Sequence, residues 1–448
     1  MKTKFFVGVG VFFFAFAFLA PPVAASDIGK RFPSEKMTYV DKVTGFPVTV
    51  LTTNTANDQK IYQTHPQWTA DGKYIIFRSN RATNGTQPFA VNESTGEIIQ
   101  LSDNPNNNSS TLNLARKSMK LYFLRGGGRG NPSTNENAAV ATNAGGRGGQ
   151  TQIIELNLAK LFADSEAGTM KEPSAYERVC ATLPPGMRES GGFGLDADEK
   201  FAYIGVRGGD VGSHLATNTV LVQTADGQRM GAGPGGIRSV NLETGEIKVI
   251  IDVPFNMGHV QVNPWTPGEI IYCHETGGDA PQRIWTVMAD GSGNRPLYVE
   301  TPDEWVTHEA VITKDEVVFN IIGHQPKLRT KPTGIAVINL RNNEMKLFGQ
   351  VEAGQGAGEQ GRGFWHSNGS PDGRWLVGDT FAGNVWLINR KTGEMTLLTT
   401  DHKMRPDHTH PTFSTDSKRI LIQSGLLSNG QSLDLMVIPI PETLLNPH

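Results

Sequence analysis

The residues best suited to chemistry are histidines, and they recur in similar settings. The chain carries 11 of them in 448 residues. His408-Thr409-His410 sets two imidazoles on one side of an extended segment, because residues two apart in a strand face the same way. His308, within Thr307-His308-Glu309, opens another such segment. Together His308, His408 and His410 offer three nitrogen ligands to a divalent metal, or are ordinary surface or core histidines. Glu309 and Glu275 each directly follow a histidine. They either orient an imidazole from behind or are exposed strand charges. His259 adds an imidazole, a side chain that exchanges protons near neutral pH. Trp305 and Trp365 are either flat platforms for a ring-shaped ligand or core packing.

Residues so far apart in sequence meet only if a repeating fold brings them together. The unit His65-Pro66-Gln67-Trp68-Thr69-Ala70-Asp71-Gly72-Lys73-Tyr74-Ile75-Ile76-Phe77 reads as a strand end, an Asp-Gly turn and an apolar strand. It recurs from His410 to Ile422 and from Asn368 to Val377, with weaker copies near Leu112, Phe193, Val262 and Ala310. A second hairpin follows, marked by Thr95-Gly96-Glu97, Thr244-Gly245-Glu246 and Thr392-Gly393-Glu394. Four strands per unit make one propeller blade, so an all-β, seven-bladed β-propeller is expected over residues 26–448. No long amphipathic helix is evident. Pro47-Val48-Thr49-Val50-Leu51-Thr52-Thr53 resembles an outer strand that the last unit lacks, so this N-terminal strand is expected to close the ring and cover an edge. In this register His308, His366 and His410 fall at the start of inner strands, which line the central channel.

The rest of the chain bounds the setting. Lys2 and Lys4, the apolar residues 5–19, and Pro21-Pro22 followed by Val23-Ala24-Ala25 read as a signal peptide over residues 1–25. A periplasmic or secreted protein follows, with no membrane attachment once the peptide is cleaved. The formal net charge of -3 gives no reason to expect a nucleic-acid partner. Cys180 and Cys273 are the only 2 cysteines; they could pair but make no disulfide framework, and Cys273 in Ile270-Ile271-Tyr272-Cys273 reads as core. Residues 125–149 and 353–363 are Gly-rich insertions with too few large apolar residues to bury a core.

Gly258-His259, Tyr272-Cys273-His274-Glu275, Thr307-His308-Glu309, His366 ahead of Ser370-Pro371-Asp372-Gly373 and Gly378-Asp379, and His408-Thr409-His410-Pro411-Thr412-Phe413 occur in that order. From about Tyr39 to Pro441, outside the insertions, this series resembles the oligogalacturonate lyases. The resemblance implies cleavage of an acidic oligosaccharide by β-elimination. It implies a divalent metal, typically manganese, held by His308, His408 and His410, and His259 as the base. For such chemistry in this sequence, His274 and His366 are candidates to bind substrate hydroxyls or protonate the leaving group. A substrate-gripping arginine is also implied but aligns with no single position; Arg238 and Arg207 are the candidates. Arg405 stands where the family has a metal-ligating glutamine, and a guanidinium cannot ligate a metal. Either three histidines and water hold the metal, or Arg405 replaces part of its charge and pairs with a substrate carboxylate. Arg125, Arg129 and Arg147 would make the first insertion a cationic lid. The competing expectation is a non-catalytic propeller of the TolB type that binds a protein or peptide, since fold does not fix function.

Overall fold

The structure is a computed structural model that describes residues 1, 26–127, 149–223, 231–275, 282–301, 304–322, 334–351 and 363–445. The signal-peptide reading and nearly all of both Gly-rich insertions lie outside the described residues. Arg125 is inside them: it ends a strand and pairs with Glu177 at 2.6 Å, so it belongs to a blade and not to a lid.

The strands form seven antiparallel sheets arranged as the blades of a propeller. Blade 1 runs Gln59–Lys60, Tyr74–Ser79, Gln87–Asn92 and Ile98–Gln100, with Arg31–Phe32 added outside. Blade 3 runs Met187–Leu195, Phe201–Gly208, Ala232–Asn241 and Ile247–Phe255, and blade 4 Met257–Val262, Glu269–His274, Ile284–Met288 and Arg295–Pro296. Blade 5 begins with Val306–Thr313 and blade 6 with Phe364–Gly369. The Asp-Gly units of the sequence mark the turn from first to second strand of a blade, and the Thr-Gly-Glu units the turn from third to fourth. Strand alternation sends apolar side chains to both faces of each sheet, so the core is a series of layers between neighbouring blades. Ile75, Phe77 and Phe89 of blade 1, for example, pack with Leu421 and Leu435 of blade 7.

Blade 7 is shared between the two ends of the chain. Thr412–Phe413, Arg419–Ser424 and Asp434–Pro439 are completed by Pro47–Val50 and then by Met37–Val40. The expected closure is therefore present, with two N-terminal strands where one was anticipated. An α-helix at Leu158–Ala167 was not anticipated. It is 10 residues long, capped by the Asn157 side chain at its start and a left-handed Gly168 at its end, and it buries Leu158, Leu161 and Phe162. Cys180 and Cys273 are both buried and unpaired.

Beside the closure seam lies a buried acidic pair. Asp434 and Asp58 are about fully buried, with Arg81 bridging Asp58 and Glu35. Burial first, then Asp58 and Glu35, push the Asp434 pKa up to about 8. A folded-state value above the unfolded 3.8 favours the folded protein at low pH; that stability is lost as pH rises toward about 8. Asp434→Asn removes this slope. Melting temperatures at pH 6 and pH 9 should show the variant gaining on the wild type toward pH 9. An unchanged difference would contradict the assignment.

Candidate functional site

The inner strands of blades 4, 5 and 6 are interrupted by bulges between Gly258 and Gln261, Thr307 and Ala310, and Phe364 and Ser367. A bulge inserts a residue that is free of the ladder and re-aims its side chain. His259, His308 and Trp365-His366 occupy these insertions. His259 has φ +48°, His308 +56° and His410 +46°, in the left-handed region that suits glycine. In blade 3 the matching irregularity is built from glycine, with Gly191 at φ +86° and Gly192 at +87°. Imidazole-bearing residues thus carry strain that glycine would relieve, as happens at functional sites.

These devices gather four imidazoles. The His366 ring centroid lies 3.8 Å from that of His410, 4.1 Å from His308 and 5.2 Å from His408. Three of them have one nitrogen held by an acceptor. His308 Nδ1–H donates to the Trp365 carbonyl, His366 Nδ1–H to Asp379 at 3.2 Å, and His410 Nε2–H to Asp407 at 3.2 Å. An acceptor on one nitrogen puts the ring proton there and the lone pair on the other, the arrangement of metal-binding histidines. His366 Nε2 and His410 Nδ1 are buried and have no hydrogen-bond partner among the described residues. Desolvation first, then the neighbouring His410, His308 and His408, hold the His366 pKa well below its usual value, so this imidazole is neutral. Neutral nitrogens with buried, unused lone pairs suit a divalent transition-metal cation. His366, Asp379 and His408 also offer ligand atoms within 4.8 Å of one another.

Asp379 organises this cluster. It is fully buried and accepts from the His366 backbone N–H at 2.7 Å, the Thr409 hydroxyl at 2.8 Å, and the Thr409 and His410 backbone N–H groups at 3.1 and 3.2 Å. One carboxylate on blade 6 thereby fixes both His366 and the segment carrying His408 and His410. Trp365 lies 4.6 Å from His308 and 5.7 Å from His408, and is itself buried against Trp305. Trp365 walls the cluster and Trp305 packs behind it, so neither presents an open platform.

A second group adjoins the first. His259 lies 6.2 Å from His308, ring to ring. Its Nδ1 is 3.2 Å from Glu309, an ion pair whose alignment is poor for a hydrogen bond, and its Nε2 is 3.7 Å from Glu275. Arg283, almost fully buried, is 3.7 Å from Glu275 and 3.8 Å from Glu309. Burial alone would depress the His259 pKa; Glu309 and then Glu275 outweigh it and leave it raised. Glu309, also buried, is held down to about 2 by His259 and Arg283 despite desolvation. Of the two readings open for Glu309 and Glu275, Glu309 takes the orienting one. Tyr62, from blade 1, lies 5.6 Å from His259 and 5.3 Å from His410 and so bridges the two groups.

The other expected site residues fall elsewhere. His274 points to the opposite face of its strand, stacked on Phe255 at 4.4 Å with Nε2 3.1 Å from the Gly231 carbonyl. Arg238 is 1 % exposed on the third strand of blade 3, paired with Asp252 at 2.8 Å and Asp210 at 3.3 Å. A substrate could reach it only by breaking those pairs. Arg207 is exposed at the end of a blade-3 strand and Arg405 is exposed three residues before His408. Neither arginine has a hydrogen-bond or ion-pair contact with the cluster among the described residues. His402 is buried between Ser424 and Thr399, away from the rest. Sequence reasoning missed Asp379, Asp407, Tyr62 and Arg283. Asp379 stood in a quoted motif without a role and Asp407 stood next to one, but nothing local reveals that Asp379 reaches Thr409 and His410 on the next blade.

No family profile matches the chain. In sequence it is similar to an oligogalacturonate lyase of Dickeya dadantii, 22% identical over 214 residues, which cover 42% of this chain and 51% of that protein. An oligogalacturonide lyase of Pectobacterium atrosepticum is 21% identical over 234 residues, 46% and 56% of the two chains. The match spans about half the length of these curated relatives. A solved structure of an oligogalacturonate lyase in complex with manganese superposes with a TM-score of 0.71 at 20% identity, covering 94% of this chain and 100% of that one. One from Vibrio parahaemolyticus gives 0.70 at 17% identity, covering 93% and 99%. The chain is a distant relative of the oligogalacturonate lyases and shares their seven-bladed propeller. No helix among the described residues is long and apolar enough to cross a membrane.

Proposed function

We propose that this protein is an exported lyase that cleaves uronate-containing oligosaccharides, of the oligogalacturonate type, by β-elimination. The observation that carries the reading is the placement of His259, backed by Glu309, beside four clustered imidazoles. Elimination removes the proton next to a sugar carboxylate, a weak carbon acid whose anion needs a nearby positive charge. His308, His408 and His410, with His366 between them, would hold a divalent cation, which when bound would draw charge from that carboxylate. His259 in its neutral form takes the proton. The Glu309 charge, 3.2 Å from Nδ1, favours the ring proton on that side and so leaves Nε2 to accept. The oxygen on the next carbon then leaves with its bond electrons, and an unsaturated sugar remains. Asp379 and Asp407 keep the imidazoles in the tautomers described above, and the Trp365 wall limits water. Export follows from the signal-peptide reading of residues 1–25.

The test is to incubate the purified protein with oligouronides of galacturonate, glucuronate-containing and rhamnose-glucuronate types, with manganese or with chelator. The ultraviolet absorbance of the unsaturated product is followed. A rise that chelator suppresses supports the reading. No rise on any substrate, with no metal in the isolated protein, would overturn it in favour of a binding propeller.

A further inference from the structure

Arginines within the described fold are nearly always matched to an acid. Arg81 lies 2.9 Å from Glu35, Arg125 2.6 Å from Glu177, Arg238 2.8 Å from Asp252, Arg390 2.6 Å from Glu316 and Arg419 2.6 Å from Glu93. Arg78 and Arg295 are the exceptions among those that are not exposed; the Arg295 guanidinium is held by the Leu340 carbonyl and the Asn343 side chain, whereas Arg78 has no such hold among the described residues. It is half-buried near the end of the second strand of blade 1, and no ion pair or side-chain hydrogen bond ties its guanidinium to another described residue. Its Nε is shut off from solvent with no partner among the described residues. A cation drawn partly out of water without a partner is costly and is kept where something else supplies the charge.

The position of Arg78 says what that is. It pairs with Gln59, beside Lys60 and the chain that leads to Tyr62. Tyr62 in turn touches both the His259 and His410 rings. The acid whose charge acts on Arg78 is Asp407, which is already committed to His410 at 3.2 Å and Gln423 at 3.0 Å. Lys60 is not the alternative grip: it is buried, and its amine is held by the Thr412 hydroxyl and the Ile61 carbonyl, each at 2.9 Å. We infer that Arg78 is the carboxylate-binding arginine of this site, receiving a uronate carboxylate at the blade-1 rim of the imidazole cluster. Its planar fork suits two parallel hydrogen bonds to that group. This rests on the lyase reading above, and it moves the grip from Arg405, Arg238 and Arg207 to a residue whose charge is unspent.

The test compares the full-length wild type with Arg78→Ala, Arg78→Lys and Arg405→Ala, each checked for an unchanged melting curve. Binding of trigalacturonate and of its methyl ester is measured by calorimetry, and kcat and KM by product absorbance. The wild type should prefer the acid over the ester. Arg78→Ala should weaken acid binding and raise KM about 100-fold, the loss expected when one side of a desolvated charge pair is removed, and should abolish the acid preference. Arg78→Lys should recover only part, because an ammonium lacks the fork. Arg405→Ala should match the wild type. If either folded Arg78 variant binds and discriminates like the wild type, the inference fails while the lyase reading stands. If the wild type forms no product and does not prefer the acid, both fail.

Discussion

His259→Ala is expected to reduce kcat on an acidic oligosaccharide by about 10²–10⁴-fold, the range for losing a general base, while cation binding is kept. The separation of effects follows from geometry. His259 sits in its own carboxylate setting, 3.2 Å from Glu309, and its ring is 6.2 Å from the closest imidazole of the metal-type cluster. None of the contacts that fix His366 or His410 passes through it. The variant should therefore hold manganese as the wild type does, measured by metal analysis of the dialysed protein, and form almost no unsaturated product. A variant that keeps wild-type turnover would remove His259 from the mechanism. Loss of metal together with turnover would instead join it to the cluster.

His366→Ala should release the cation. The sequence reading gave His366 to the substrate, whereas its ring is the one imidazole close to all three others. Its Nδ1 is bound to Asp379 and its Nε2 lone pair is buried and unused among the described residues. Removing a direct ligand should weaken manganese binding by more than the roughly 10–100-fold typical of losing a supporting partner. Titration of manganese into metal-free protein measures this. Asp379→Asn, which leaves all four rings, should fall within that smaller range. If His366→Ala binds manganese normally and raises only KM, the residue contacts substrate and the cation rests on His308, His408 and His410.

Much of the fold was legible because its signals are local. An Asp-Gly turn followed by an apolar strand specifies a hairpin wherever it occurs, and its repetition counts the blades. The closing strand was legible for the same reason, by likeness to an outer strand. The Leu158–Ala167 helix was not, since its 10 residues announce themselves only through Asn157 and Gly168, and many turns use the same residues. Within the site, His308, His366 and His410 stood out because they fall at equivalent places in successive units, His408 because it alternates with His410, and His259 through the family resemblance. The arginines were not, because an arginine's role depends on which carboxylate reaches it. Arg238 looked available and is tied to Asp252; Arg78 looked like any strand residue and has no such tie.

By itself, then, the sequence determined a seven-unit all-β ring, its closure, and a set of histidines turned toward one axis. Those follow from periodicity, which acts over a few residues. Only the tertiary structure decided which imidazoles meet, which nitrogens keep their lone pairs, and which cation is left without an anion. The bulges that aim His259 and His308, with left-handed backbones on residues other than glycine, persist because neighbouring blades pack against them. Asp379 acts on residues 30 and 31 positions away. Contacts of that kind are set by the closing of the ring, and no local pattern encodes them.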